Sequence, residues 1–564
     1  MGTSLLRNRN AQVSKVPKPP IRRSIFDLNW NRKQTMNASY ITPIMCKRIV
    51  PGQSMFLNLD SFVRLNTQLT CPIDNLQIET FFFYTPDRLA WENAPYYIGA
   101  IKDPNKEQSY LKPQIEIPAD KNTAGSLFNL LSASRLGKKV KVNKLPFVMH
   151  NLIYNEYFRD SDCESPKKID ITDADGNLED YDLYRIHKSR DYFTNSTRDT
   201  QIGTEVTIPI GTQAPVVGNG MTIGFATGNQ QFGMHTDGEH DWNEQIFQKN
   251  IYGQPRGTSV SFSQSQVPEH YKSIGLTFDP AFSGMIARLD EAKGAEVNAL
   301  RQAIMINEFQ EALNRGGTKY VDVMKNIYGV TIPDLTIQRP LYLGGTSKPF
   351  YTNPVVQTSG SQISGSITPQ GNIAGYGTGG DSGRVVNASF QEFGYVIGYM
   401  VIKAQPQYQQ GLAKDWTIKD KFEEFNPYFI NAGDEPIYRQ ELFVEDYDAT
   451  DSDGTEFNKK VFGYIGRFDH LRYNQNEIAG ELNSEYKYTL DSWHYAEKFE
   501  NAPENNADFM ADKTYEILDR TLAVIWEDSG KTVKSPQFVV DVKFKGANAL
   551  PVPTRAVPKI SALL

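Results

Sequence analysis

Between Lys348 and Asp381 the chain runs for 32 residues, 349–380, without one charged side chain. The stretch holds seven Gly and eight Ser or Thr, which alone would read as a flexible linker. It also holds Phe350, Tyr351, Val355, Val356, Ile363, Ile367, Ile373 and Tyr376, which a linker would lack. A disordered segment normally carries charge, and a structureless loop beyond about 12–15 residues is uncommon in a compact domain. The segment is therefore expected to be ordered by packing, with a neighbouring copy of the chain as the packing partner. Phe350, Tyr351, Ile373 and Tyr376 are the expected inter-subunit contacts, losing exposure chiefly on assembly.

The rest of the composition favours strands and turns. The 564 residues include 31 Phe, 29 Tyr, 42 Gly and 31 Pro. Clean alternation marks residues 538–545, where Phe538, Val540, Val542 and Phe544 oppose Val539, Asp541, Lys543 and Lys545. Residues 76–84 place Ile78, Thr80, Phe82 and Tyr84 on one face and Phe81 and Phe83 on the other, so that strand should be buried on both sides at its end. Further strands are expected at 55–65, 395–403, 461–468 and 521–526. Helices are expected at 124–136 before Gly137, from Pro146 to about 158, at 295–315 and at 321–328. Strands at both ends with helices and long excursions between them predict a mainly β chain, one antiparallel sandwich with expanded connections.

Charge is unevenly spread. Residues 1–48 carry ten Lys or Arg against Asp27 alone, a net +9, whereas the remainder holds 49 basic and 65 acidic residues, a net −16. A basic extended arm at 1–48 on an acidic body points to a polyanion partner. Arg7, Arg9, Lys15, Lys18, Arg22, Arg23, Arg32 and Lys33 are its candidate nucleic-acid contacts; a neighbouring subunit or a separate basic protein are the other partners such an arm could have. Cys46, Cys71 and Cys163 match no metal or disulfide pattern, which suits a reducing compartment. No apolar leader and no run near 18 apolar residues is present, so neither secretion nor membrane insertion is expected.

Motifs for catalysis fail on context. Gly375-Tyr-Gly377-Thr-Gly-Gly380 matches a dinucleotide-binding pattern but lacks the strand before it and the helix after it. Gly530-Lys531-Thr532 imitates the end of a phosphate loop, yet Ile525 stands where the first glycine belongs. Two acidic runs, Asp170-Asp173-Asp175-Gly176 and Asp448-Asp451-Asp453-Gly454, resemble calcium loops. Each lacks an oxygen ligand at its first position, leaving solvated turns or a weak cation seat. No cofactor and no enzymatic site is expected. Residues 222–285 are rich in Gly, Gln, Ser and Phe without a core period, and read as a surface insertion. Phe232, His235, His240 and Trp242 make it a contact surface.

Several segments resemble, in order, the major capsid proteins of the microviruses, small single-stranded DNA bacteriophages, and most closely their gokushovirus branch. They include Phe81-Phe82-Phe83-Tyr84-Thr85-Pro86-Asp87-Arg88-Leu89, Asn155-Glu156-Tyr157-Phe158-Arg159-Asp160 and Gln338-Arg339-Pro340-Leu341-Tyr342-Leu343-Gly344-Gly345. Pro369-Gln370-Gly371-Asn372-Ile373-Ala374-Gly375-Tyr376-Gly377 and Leu490-Asp491-Ser492-Trp493-His494-Tyr495-Ala496 continue the series. Together the segments span roughly residues 30–560. The resemblance implies an eight-stranded antiparallel jelly-roll sandwich at 49–564 with long inserted loops, several short helices and an extended tail at 546–564. It implies a homo-oligomer closed as a T=1 icosahedral shell around circular single-stranded DNA, located in the virion and assembled in the bacterial cytoplasm. It places the 222–285 insertion outward, near the three-fold axes, where it would meet a host surface receptor. A small basic DNA-packaging protein and a pilot protein are the further partners implied. On the residues alone, a carbohydrate-binding or glycoside-hydrolysing β protein and a receptor-binding spike stay open, since aromatic content and Trp242 suit them as well.

Overall fold

The computed structural model describes residues 23–100, 110–203, 206, 216–218, 285–287, 297–317, 319–356, 361–363, 366–368, 373–522, 525–528, 531–534 and 536–555. The chain divides into two units, residues 203–311 and the remainder.

Eight long strands build the main unit. They are β1 (Trp30–Met36), β2 (Thr42–Ile49), β3 (Ser54–Leu65), β4 (Leu76–Pro86), β5 (Leu341–Val356), β6 (Ile373–Ser389), β7 (Gly394–Ala404) and β8 (Phe538–Leu550). Every ladder between them is antiparallel, in the order β1-β8-β3-β6 on one side and β2-β7-β4-β5 on the other. Successive strands alternate between the two sheets except at β4 and β5, which pair directly. This is the order of an eight-stranded jelly roll. A short strand, Ser24–Asp27, extends the edge beside β8.

Alternation puts the core between the sheets. Phe538, Val540, Val542 and Phe544 of β8 meet Leu57, Leu59 and Val63 of β3, and Ile78, Phe82, Met400 and Ile402 of the facing sheet. Burial of such side chains at about 25 cal/mol per Å² drives the pairing. Strand β4 is buried on both sides at its end, as its Phe-rich run requires. Its outer side chain Phe83 and the β7 residues Ile397, Tyr399 and Val401 are covered by the connection after β4, through Trp91, Ile115 and the helix Leu145–Ile153. A third cluster joins Tyr192 and Phe193 to Ile437, Leu442, Phe462 and Phe509.

The charge-free stretch is the β5–β6 hairpin and its tip. Strand β5 pairs with β4 along Leu341–Phe350 and then with β6 along Tyr351–Val356, so this one strand joins the two sheets. The tip pairs Ser361–Ile363 with Ser366–Thr368. The glycines of β6 have a steric reason. A Cβ on Gly377 would stand 2.4 Å from Phe350 Cε1, and one on Gly379 would stand 2.4 Å from Phe350 Cδ2. The Phe350 ring fills the space that two side chains would otherwise take.

Several expectations shift. The basic region does not stay extended to residue 48: Ser24–Asp27, β1 and β2 place residues 24–49 in the sheets. The tail expected from 546 is still strand as far as Leu550. Helix 124–136 contracts to Leu127–Leu130, capped by Ser126 and ended by Ser132 at φ 61°. The helix after Lys144 does carry Pro146 in its first turn; it runs to Ile153 and widens into a π-turn over Tyr154–Phe158. The strand expected at 521–526 is found at Ile525–Asp528, after a helix over Thr514–Thr521 whose Ile517 and Leu518 enter the core. In the second unit, Val216–Gly218 pairs with Met285–Ala287. The helix expected at 295–315 runs over Val297–Gly316. The insertion at 222–285, with Phe232, His235, His240 and Trp242, otherwise lies outside the described residues.

Candidate assembly and nucleic-acid surfaces

The four side chains expected to await a neighbour separate. Phe350 is fully buried in the chain's own core, edge-on to Phe538 at 5.8 Å between centroids. It has no exposure left to lose, which corrects its assignment as an inter-subunit contact. Tyr351 is 54% exposed and Tyr376 39%, and both stand on the hairpin with exposed Val355 and Val356 beside them. Ile373 lies opposite Val356 in the ladder. The hairpin's own residues carry no charge, and Tyr351 stands in one cross-strand row with Thr378 and the exposed Arg64. The part of this surface beyond Arg64 can be covered by another chain without burying an unpaired charge. Sequence reasoning passed over Trp416, Tyr428 and Tyr447, the most exposed aromatic residues among those described, at 83%, 93% and 92%. They sit in short turns and loops, so no periodic signal distinguishes them.

The basic candidates separate by the pleat. Arg7, Arg9, Lys15, Lys18 and Arg22 lie outside the described residues. Arg23 is exposed and donates from Nη2 to Ser54 Oγ at 2.6 Å. Arg32 turns inward and is half-buried. Its Nε donates to Gln34 Oε1 at 2.6 Å, its Nη1 to Ser132 Oγ at 3.1 Å and its Nη2 to the Leu130 carbonyl. Burial lowers its guanidinium below the usual value. Arg32 is thus consumed by its own fold, a correction to its reading as a nucleic-acid contact. Lys33, one residue on, points the other way and is exposed. Arg48, also counted in the arm, is held by Asp87 through two bonds of 2.5 and 2.6 Å.

Both acidic loops are filled by the chain's own cations. The Lys144 ammonium, fully buried, donates to Asp170 Oδ2 at 3.0 Å, the Thr172 carbonyl at 3.1 Å and the Ala174 carbonyl at 2.8 Å. Asp173 accepts from Trp91 Nε1 and Asn93 Nδ2. Asp175 accepts from Lys141 at 2.9 Å. In the second loop Asp451 accepts from Lys460 at 2.6 Å, Arg439 at 3.3 Å and the Ser452 amide, and its carboxyl is drawn down to about 2, first by the Lys460 hydrogen bond. Asp453 accepts from the Thr455 hydroxyl and amide. A lysine ammonium occupies the seat where a metal ion would sit in a calcium loop. Among the described residues no group of three or more His, Cys, Asp or Glu could hold a metal ion.

Other titratable groups are built into the packing. His150 is buried, with Nδ1 3.0 Å from the Tyr399 hydroxyl and Nε2 3.1 Å from the Asp182 carbonyl. Burial lowers its pKa to about 4, so the neutral ring accepts from the tyrosine and donates to the carbonyl. Gly375–Gly380 lies within strand β6, far from the helix N-terminus that a dinucleotide site requires. Lys531 and Thr532 stand on a short strand paired with Ile525–Asp528. Among the described residues no helix is long and apolar enough to cross a membrane.

Comparison with known proteins finds relatives along nearly the whole chain. The capsid protein (F protein) family matches residues 14–560. The chain is 32% identical over 559 residues to capsid protein VP1 of Bdellovibrio phage phiMH2K, covering 98% of each. It is 29% identical over 599 aligned positions to capsid protein VP1 of Chlamydia phage 1, again over 98% of each. With capsid protein VP1 of Spiroplasma virus 4 it shares 27% identity over 552 residues, 95% of each.

Proposed function

The chain belongs to the capsid protein (F protein) family of the microviruses, and we propose that it closes into a T=1 icosahedral shell around a circular single-stranded DNA genome. Family membership makes it a major capsid protein, a structural subunit of the virion that assembles with copies of itself, and not an enzyme. The observation that carries the proposal is the extent of the match. It runs from residue 14 to residue 560 and so through every strand of both sheets.

An obligate shell contact buries more than about 2,000 Å² in total. The uncharged hairpin with Tyr351, Ile373 and Tyr376 is one part of it. Arg7, Arg9, Lys15, Lys18, Arg22, Arg23 and Lys33 face the DNA, and the assembly proceeds in the bacterial cytoplasm with a small basic packaging protein and a pilot protein. The 222–285 insertion, through Phe232, His235, His240 and Trp242, meets the host surface receptor. Electron microscopy of the expressed full chain should show closed, uniform particles. A stable monomer at all concentrations would overturn the shell. Deleting residues 221–280 should abolish attachment to host cells while leaving particles intact; unchanged attachment would refute the role of the insertion.

A further inference from the structure

The outward face of sheet β1-β8-β3-β6 carries charges in an unusual balance. Along the pleat it presents Lys33 from β1, Lys543 and Lys545 from β8, Arg64 from β3 and Arg384 from β6, against Asp60 and Asp541, with Asp27 on the short edge strand opposite Ala547. One acid is already spent: Asp60 is 2.7 Å from Lys545 Nζ and accepts from Ser382 Oγ at 2.7 Å. Arg384 lies over the Phe56 ring at 4.9 Å. Asp541 stands opposite Lys33 in the ladder. Lys33, Arg64 and Lys543 close no salt bridge among the described residues, although Lys543 stands opposite Asp60 and Lys33 opposite Asp541 in the ladders.

In the middle of these cations stand two apolar side chains, Phe62 at 54% exposure and Val539 at 56%. The ladders place Asp541 between Lys33 and Phe62, Val539 beside Arg64, and Lys543 beside Asp60. With strands about 4.8 Å apart, Phe62 therefore lies within about 10 Å of all three of these cations. A solvated sheet face has no need of a phenyl ring surrounded by ammonium and guanidinium groups.

We infer that this face is a platform for unpaired nucleic acid, with Phe62 stacking on a base and Lys33, Arg64 and Lys543 holding phosphates. The inference rests on the reading of a single-stranded genome and names the surface that meets it. A second copy of the chain is a weaker occupant, because it would have to bring a carboxylate to each of these cations to keep them paired once buried. A duplex is weaker too, since its bases are stacked on each other and offer no free ring to Phe62.

The test is binding of fluorescent oligo-dT to the full-length chain, titrated over a range of salt. The triple variant Lys33→Gln/Arg64→Gln/Lys543→Gln should lower the slope of log affinity against log salt by about 2, from three contacts at about 0.7 each. Phe62→Leu should weaken binding about five- to a hundredfold at fixed salt, while Phe62→Tyr, which keeps the ring, should bind as the parent does. Thermal melting of each variant separates lost binding from lost fold. Parental chain that binds while the triple variant and Phe62→Leu bind equally well would overturn the platform. Parental chain that does not bind single-stranded DNA at all would overturn the single-stranded-genome reading beneath it.

Discussion

Lys144 is the residue whose role was least visible from its neighbours in the chain. The acidic run at 170–175 advertises a cation site, and the cation turns out to be a side chain 26 residues upstream. Nothing in local spacing could reveal that, because the contact is made only when the helix Leu145–Ile153 and the loop come together. Removing the ammonium strands a carboxylate and two carbonyls. Lys144→Met should therefore cost about 3 kcal/mol or more in urea unfolding, and adding Asp170→Asn should return part of it. A single variant within about 0.5 kcal/mol of the parent would show that water replaces the lysine at no cost. His150 makes a pH prediction. Its pKa is about 4 in the folded chain against an ordinary value near 6.5, so the folded state resists the proton. The stability it supports is complete above pH 6.5 and drains as the pH falls towards 4. Between pH 7 and pH 5 this group should account for about 2 kcal/mol of lost stability. His150→Gln should be less stable at neutral pH yet lose less on acidification; equal losses in both chains would exclude His150 as the source.

At the scale of elements, legibility followed the alternation. Strands β4 and β8 stood out because large apolar side chains repeat every second residue, and Arg32 and Lys33 diverged for the same reason, one on each face. Strands β5 and β6 did not stand out. Along the inward face of β6 the sequence reads Gly377, Gly379, Asp381 and Gly383, which carries no apolar period. The missing bulk is supplied from the neighbouring strand by Phe350, a contact between residues about 27 positions apart that no window of periodicity spans. This is open to a mutant cycle. Gly377→Ala pushes a methyl into the ring and should cost about 1–3 kcal/mol. Phe350→Ala should cost about 3–5 kcal/mol through the cavity it leaves. Together they should cost clearly less than the two added, since the new methyl then enters the space the ring vacated. Additive losses would mean that the ring and the glycines do not share that space.

At the scale of the whole molecule, the order of strands was not readable from periodicity and came only with the family likeness, because jelly-roll pairings join distant segments. The long charge-free stretch was readable as something ordered, but its two duties were merged. It both closes the subunit's own core, through Phe350, and presents an uncharged row, through Tyr351, Val355 and Tyr376, on one side of the hairpin. These duties should come apart in the tube. Tyr351→Ser with Tyr376→Ser removes exposed rings that touch little in the single chain, so the unassembled subunit should melt within about 0.5 kcal/mol of the parent. A hairpin contact between subunits would recur at every copy in the shell, so a small loss per contact would be multiplied across the particle. The concentration at which particles first appear in light scattering should rise severalfold, without any change in the subunit's circular dichroism. Particle formation at the parental concentration would place the hairpin outside the subunit interface. A subunit that melts early would show instead that both tyrosines, like Phe350, belong to its core.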